Sequence, residues 1–270
     1  MARRFASRML MLAIAVLFAT LPAGAQQTTT EKQFEPQVGQ AGKDVVWVPT
    51  PQALVDKMLD MAKVTPQDFV MDLGSGDGRT VITAAKRGAR ATGIEYNPNM
   101  VELSRKNAAA AGVTQRATFQ QADLFETDFS KAQVITMFLL PSINMKLRPK
   151  LLELRPGTRI VSNTFTMEDW EADETQRIEQ DCTSWCTALL WIVPAKVDGT
   201  WRIGQNNLVL KQQFQMLSGS LGSTMISAGR MRGDEISFTA GNAVYTGRVS
   251  GNSIKGSIKG GSGGTFTATR

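Results

Sequence analysis

Between residues 45 and 196 the apolar positions follow two alternating rhythms. Mainly apolar runs, Phe69-Val70-Met71, Ala91 to Ile94, Ala117 to Ala122, Gln133 to Leu139 and Arg159 to Asn163, read as successive strands. Helical spacing fills the gaps. Leu54, Val55, Met58, Leu59 and Ala62 make one stripe, and Val81, Ile82 and Ala85 make another. Val101, Leu103 and Ala108 lie in a third helical stretch. Thr50 is placed to cap the first helix with Pro51 as its first residue, and Asn97-Pro98 opens the third in the same way. Gly88 and Gly112 end the second and third helices. Strands alternating with helices of this length predict a doubly wound, Rossmann-like parallel sheet with helices on both faces. Ala188 to Val193 reads as a late strand.

Outside this block the pattern changes twice. Residues 197–270 are short β-prone runs such as Leu208-Val209-Leu210, broken by glycines. Arg230-Met231-Arg232-Gly233-Asp234-Glu235-Ile236 is echoed by Arg248-Val249-Ser250-Gly251-Asn252-Ser253-Ile254, and Gly-Asp and Gly-Asn fit tight hairpin turns. The expectation is a small C-terminal antiparallel β module, a meander or a barrel, which binds substrate or covers the sheet edge. At the other end, Arg3, Arg4 and Arg8, the 13-residue stretch from Met9 to Leu21 and Ala23-Gly24-Ala25 make residues 1–25 a secretory leader. An uncleaved anchor is the alternative, and either predicts an exported, periplasmic or secreted protein. Residues 26–44 are polar and predict a disordered linker.

The chemistry concentrates at the end of the first strand. Asp72-Leu73-Gly74-Ser75-Gly76-Asp77-Gly78 is a strand, a tight turn and a helix start, where backbone can approach a ligand. The spacing is Gly-x-Gly-x-Gly, which disfavours a nicotinamide dinucleotide. The second strand ends in Glu95 and the third run in Asp123, so three carboxylates stand at three successive strand ends.

This set, Asp-Leu-Gly-Ser-Gly-Asp-Gly-Arg, Gly-Ile-Glu-Tyr-Asn-Pro and Ala-Asp-Leu, resembles the class I S-adenosylmethionine (SAM) methyltransferases. Val48-Pro49-Thr50-Pro51, Phe138-Leu139-Leu140-Pro141-Ser142 and Arg159 to Asn163 narrow it. In this order they resemble the protein-lysine methyltransferases that modify the rotor-ring protein of the ATP synthase and the adenine nucleotide translocase, over residues 45–196. The resemblance implies a SAM-binding enzyme with a protein substrate. Gly74, Ser75 and Gly76 would pass the methionine part, with Asp72 ordering the turn. Glu95 would hold the ribose hydroxyls and Asp123 the adenine amino group. The methyl acceptor would lie near Phe138, Pro141 and Ser142. The alternative is an exported binding or assembly module that keeps the fold without turnover.

Composition sets limits. The chain has no histidine, which removes His-based triads and most catalytic zinc sites. The formal charge of +6 includes the three leader arginines, and without them 27 basic residues face 24 acidic, giving +3. That is too mild to argue for nucleic acid or a membrane surface. Where many amino-group methyltransferases carry an acid or amide after the fourth strand, this chain has Leu139-Leu140, either plain core or a site where backbone carbonyls serve the amine. No catalytic residue is assigned. Asp169-Trp170-Glu171 and Trp185 supply aromatics for a lysine channel or for core packing. Cys182 and Cys186, three residues apart, allow a disulfide across a turn, with buried thiols as the alternative.

Overall fold

Each mainly apolar run becomes a strand, and the helical stripes pack on the sheet that those strands build. The computed structural model describes Met1 and residues 34–270, so the predicted leader beyond Met1 and the first part of the predicted linker lie outside the described residues. In chain order, α1 (Gln52–Met61), β1 (Phe69–Leu73), α2 (Arg79–Lys86), β2 (Arg90–Glu95), α3 (Pro98–Ala110) and β3 (Ala117–Gln121) come first. Then follow β4 (Val134–Met137), α4 (Pro141–Leu152), β5 (Arg159–Asn163), β6 (Glu174–Arg177) and β7 (Thr187–Ile192).

The sheet order is β3-β2-β1-β4-β5-β7-β6. Strands β1 to β5 are parallel, and β7 runs antiparallel between β5 and β6. The order reverses between β1 and β4, where a doubly wound sheet opens a crevice at its carboxyl edge. Register levels that edge: Leu73 lies beside Ile94 and Met137, and Met137 beside Ser162. One face is covered by α1, α2 and α3, with Leu54, Val55, Leu59 and Val81 fully buried. The other carries α4 and the loops around Phe129 and Trp170 over Met71, Ile135 and Met137.

The C-terminal module is a closed barrel of eight antiparallel strands. These are β8 (Gly199–Ile203), β9 (Asn206–Gln213), β10 (Met216–Leu221), β11 (Thr224–Arg232), β12 (Glu235–Ala240), β13 (Ala243–Ser250), β14 (Ser253–Lys259) and β15 (Gly264–Thr269). The internal repeat marks two hairpin tips, Gly233-Asp234 between β11 and β12 and Gly251-Asn252 between β13 and β14, with both glycines at positive φ. Trp201, Leu208, Met231, Phe238 and Ile254 fill the interior, each contributing about 2 kcal/mol of apolar burial.

The barrel docks at the amino end of β5 and the tail of β7. Asp173, wholly buried at its side chain, accepts from Arg230 (2.7 Å) and from the Ile192 amide (2.8 Å). Gln215 donates to the Glu171 carbonyl, Phe214 stacks on Trp170, and Gly233 lies against Gly157.

Two local expectations are corrected. Residues 34–44 are not a featureless linker: Gly39 N–H bonds the Trp47 carbonyl (2.8 Å), Trp47 N–H bonds the Gln40 carbonyl (2.9 Å), and Ala41 bridges Val46. Thr50 does not cap α1. Pro51 holds the N-cap position without a side-chain bond, and Thr50 Oγ1 instead accepts from Asn163 Nδ2, 113 residues away (3.3 Å). The cap of α3 is as expected, with Asn97 accepting from the Asn99 amide.

Candidate functional site

The glycine turn is built by bonds from three directions. Gly74 and Ser75 amides both donate to the Ile94 carbonyl (2.9 and 3.0 Å), which ties the turn to β2. From α3, Ser104 Oγ donates to the Gly76 carbonyl (2.8 Å) and Asn107 Nδ2 to the Asp77 carbonyl (2.9 Å). Gly74 and Gly76 lie at φ +78° and +54°, a region in which side chains are strained. A Cβ on Gly76 would also stand 2.6 Å from Trp47 Nε1, so the indole rests directly on the turn.

Around this turn opens a cleft. Asp72, Gly74, Ser75, Gly76, Glu95, Asp123 and Phe138 all line it, as the sequence places them. Pro141 and Ser142 do not: they form the exposed first turn of α4, and line neither the cleft nor the smaller slot beside it. The helix starts there because Leu140 is its N-cap and Pro141 its first residue, which turns both side chains out.

The three acids differ in state. Glu95 accepts from the Gly76 amide through Oε2 (3.0 Å) and from the Asn97 amide through Oε1 (2.9 Å), leaving a lone pair on each oxygen for a ligand hydroxyl. Asp123 is paired with Lys43 and accepts from the Phe125 amide (2.9 Å), and these bonds hold its pKa below the ordinary carboxylate value. Asp72 does not bond the turn. Its one partner is Thr136 Oγ1 across to β4 (2.6 Å), and burial pushes its pKa up to about 7, helped by the nearby charges of Asp77 and Glu95.

The end of the run that looked like a linker, with residues 45–48 just after it, closes the cleft from above. Lys43 reaches Asp123 and lies 4.8 Å from the Tyr96 ring centre, Gln40 contacts Met100, and Trp47 covers the turn. Its polar composition hid this, because the partners are remote in sequence. Of α1, only Met58 reaches the cleft, so that helix is chiefly a packing element.

Beside the cleft, sharing Val45, Val46, Val48 and Phe138 with it, is an apolar slot. Phe138, Phe165 and Trp185 meet there with ring centres 5.3 to 5.9 Å apart. They come from the loops after β4 and β5 and before β7, all at the carboxyl edge. Phe165 was not singled out in the sequence. Ser162 Oγ (2.9 Å) and Asn144 Nδ2 (3.2 Å) both donate to its carbonyl and fix its loop. Trp170, by contrast, is core: it is fully buried and packs on Trp191 and Phe214. Cys182 and Cys186 form a disulfide, with Cα atoms 5.8 Å apart, across the loop between β6 and β7. No barrel residue lines the cleft or the slot.

The residues fit SAM. The left-handed turn bares amides, Ser75 Oγ is buried at the cleft wall without a partner, and three carboxylates suit a cationic ligand carrying a diol and two amino groups. A cradle of this chemistry, at the reversal point of a sheet in this order, is that of a SAM-dependent methyltransferase. Residues 72–174 match the ANTKMT methyltransferase domain. A protein-lysine N-methyltransferase of Saccharolobus islandicus is 46% identical over 138 residues, covering 50% of this chain and 86% of that one. The mouse adenine nucleotide translocase lysine N-methyltransferase is 37% identical over 119 residues, 43% of this chain and 52% of that one, so the chain spans about half of that relative's length. A Salinibacter ruber structure described as an RNA methyltransferase with S-adenosyl-L-homocysteine is 49% identical, covers 56% of this chain and 96% of its own, and has a TM-score of 0.52. The chain belongs to the ANTKMT methyltransferase family.

Proposed function

We propose that this enzyme methylates the side-chain nitrogen of a protein lysine, and that it does so outside the cytosol. The observation that carries the acceptor is the slot formed by Phe138, Phe165 and Trp185, which opens beside the cofactor cleft and carries no charge. An alkyl chain ending in an ammonium fits it. The methylenes lie against Val46 and Leu140, and the ring faces attract the cation. Val46, Leu140 and Trp185 are among the exposed large apolar side chains of the chain, so the mouth of the slot is an apolar surface suited to a protein partner. The lysine relatives named above support the same acceptor. The leader pattern and the disulfide support an oxidising compartment.

SAM, when bound, supplies an activated methyl group on a cationic sulfur. Glu95 and Asp123 hold the adenosyl end, and the turn from Gly74 to Gly76 borders the methionine end. The amine must be neutral to attack. The slot provides no carboxylate, so desolvation there lowers the amine's pKa and the proton leaves to water. Phe138 lines both cavities and orients the nitrogen between them.

The test is to incubate the full chain with methyl-labelled SAM and, separately, detergent-solubilised adenine nucleotide translocase, poly-L-lysine and an RNA transcript. Label on lysine, located by mass spectrometry, is the expected result. Label on the RNA alone, or on none of the three, overturns the lysine reading.

A further inference from the structure

Trp185 is held on one side only, by the rings of Phe138 and Phe165. It is 40% exposed, its neighbours Thr183 and Ser184 are exposed, and its backbone lies at φ +58°, a conformation that costs a bulky residue about 1 kcal/mol or more. Asp181, in the same loop, is also left-handed at φ +56°. Apart from its ring contacts with Phe138 and Phe165, three attachments retain this geometry. The Cys186 carbonyl accepts from the Ile178 amide (2.9 Å), Cys186 itself is buried at the root of β7, and the bond to Cys182 closes the loop. The first two hold only the base of the loop. A loop this short constrains the unfolded chain least, so the bond's effect is local rather than on global stability.

We propose that the Cys182–Cys186 disulfide fixes Trp185 as the outer wall of the acceptor slot and so makes acceptor recognition dependent on oxidation, with SAM binding unaffected. This rests on the lysine reading of the slot. Reduction adds two electrons and two protons to the S–S bond, giving two thiols, while a soluble dithiol becomes its own disulfide. The freed loop relaxes Trp185 to negative φ and draws the indole off Phe138 and Phe165. The cofactor cleft keeps its shape, because no residue of the 178–186 loop lines it. In a reducing compartment the enzyme is thus charged with cofactor but holds lysine weakly. Oxidation on export completes the slot. Trp185 acts here as a specificity residue and the disulfide as its positioning device.

The experiment compares the oxidised full chain, the same protein in dithiothreitol, Cys182→Ala/Cys186→Ala, Trp185→Phe and Trp185→Ala. Acrylamide quenching reads the Trp185 indole as the difference between the parent and Trp185→Phe, because Trp170, Trp191 and Trp201 are fully buried and the half-buried Trp47 is common to both proteins. Nα-acetyl-lysine amide serves as a minimal acceptor in an NMR titration, and SAM is followed by calorimetry. Opening the bond is expected to raise quenching in the parent but not in Trp185→Phe. It is expected to weaken the lysine probe roughly threefold to fivefold, the size of an exposed cation–π contact, and leave SAM affinity unchanged. Trp185→Ala shows the same weakening without any further effect of reduction, and Trp185→Phe retains most of the affinity. Unchanged quenching on reduction, equal weakening by reduction in Trp185→Ala, or loss of SAM affinity on reduction each overturns the proposal. An oxidised parent that binds SAM but not the lysine probe overturns the lysine reading, and this proposal with it.

Discussion

Asp72 is a buried acid at the heart of the cleft, and replacing it with asparagine should make the protein more stable at neutral pH. The carboxyl has one hydrogen bond, from Thr136, and faces the charges of Asp77 and Glu95. Burial is the larger effect and raises its pKa from 3.8 to about 7. The sign follows from proton binding. Between these two values the folded protein keeps a proton that the unfolded chain has released, so Asp72 costs stability progressively as pH rises. The slope for one proton is 1.36 kcal/mol per pH unit, so the whole span amounts to about 4 kcal/mol. Above pH 7 both states are ionised and the cost is constant. Asp72→Asn keeps an acceptor for Thr136 and does not titrate. Urea denaturation of both proteins from pH 4.5 to 8.5 checks this. The variant's advantage should grow across pH 4.5 to 7 by several kcal/mol and then level off. A difference that stays flat with pH would refute the argument. Linkage adds a second readout: a cation in the cleft favours ionised Asp72, so SAM affinity should climb towards pH 7 in the parent and stay level in the variant.

Three further outcomes are expected. Glu95→Ala removes the acceptor for the Gly76 and Asn97 amides together with the free lone pairs that face the cleft, and calorimetry should show SAM affinity lowered about tenfold to a hundredfold. Gly76→Ala places a methyl at φ +54° against Trp47, so it should both destabilise the fold by about 1–3 kcal/mol and weaken SAM, with Trp47 fluorescence shifting as the indole lifts. Arg230→Ala leaves the buried Asp173 carboxylate without its ion, at a cost of about 3 kcal/mol in denaturant titrations, whereas Asp173→Asn, which keeps the Ile192 bond, should cost less.

What was legible in the sequence is what is decided locally. The glycine spacing of the turn from Gly74 to Gly78, the acids that end β1 and β2 and the acid that follows β3, the Asn97 cap and the hairpin tips at Gly233 and Gly251 all show in residues a few positions apart, although the turn is also held by remote partners. The features that were missed depend on partners remote in sequence. Residues 40–44 have a linker's composition and acquire a place through Asp123 and Met100, beside Trp47 on Gly76. Thr50 has a capping residue's chemistry but is engaged by Asn163. Ser104 and Asn107 look like ordinary polar positions on α3 until the turn they hold is known. The short edge strand β6 has no solid apolar run, because only one of its sides is paired. The acceptor slot was half visible, in Phe138 and Trp185, and the third ring came from a loop with no motif.

The barrel's strand order bears on how the molecule folds. Every pairing in it joins strands adjacent in sequence, apart from the closure of β15 on β8. The sheet also needs non-local pairings: β1 must find β4 across two helices and two strands, and Arg159 must reach Asp68, 91 residues back. Loop-closure entropy makes such non-local contacts late and slow, while sequential hairpins form early. The sequential hairpins of the barrel are therefore expected to form before the β1–β4 pairing. Through Asp173, Gln215 and Gly233 the barrel presents a finished surface on which the tail of β7 and the start of β5 can settle.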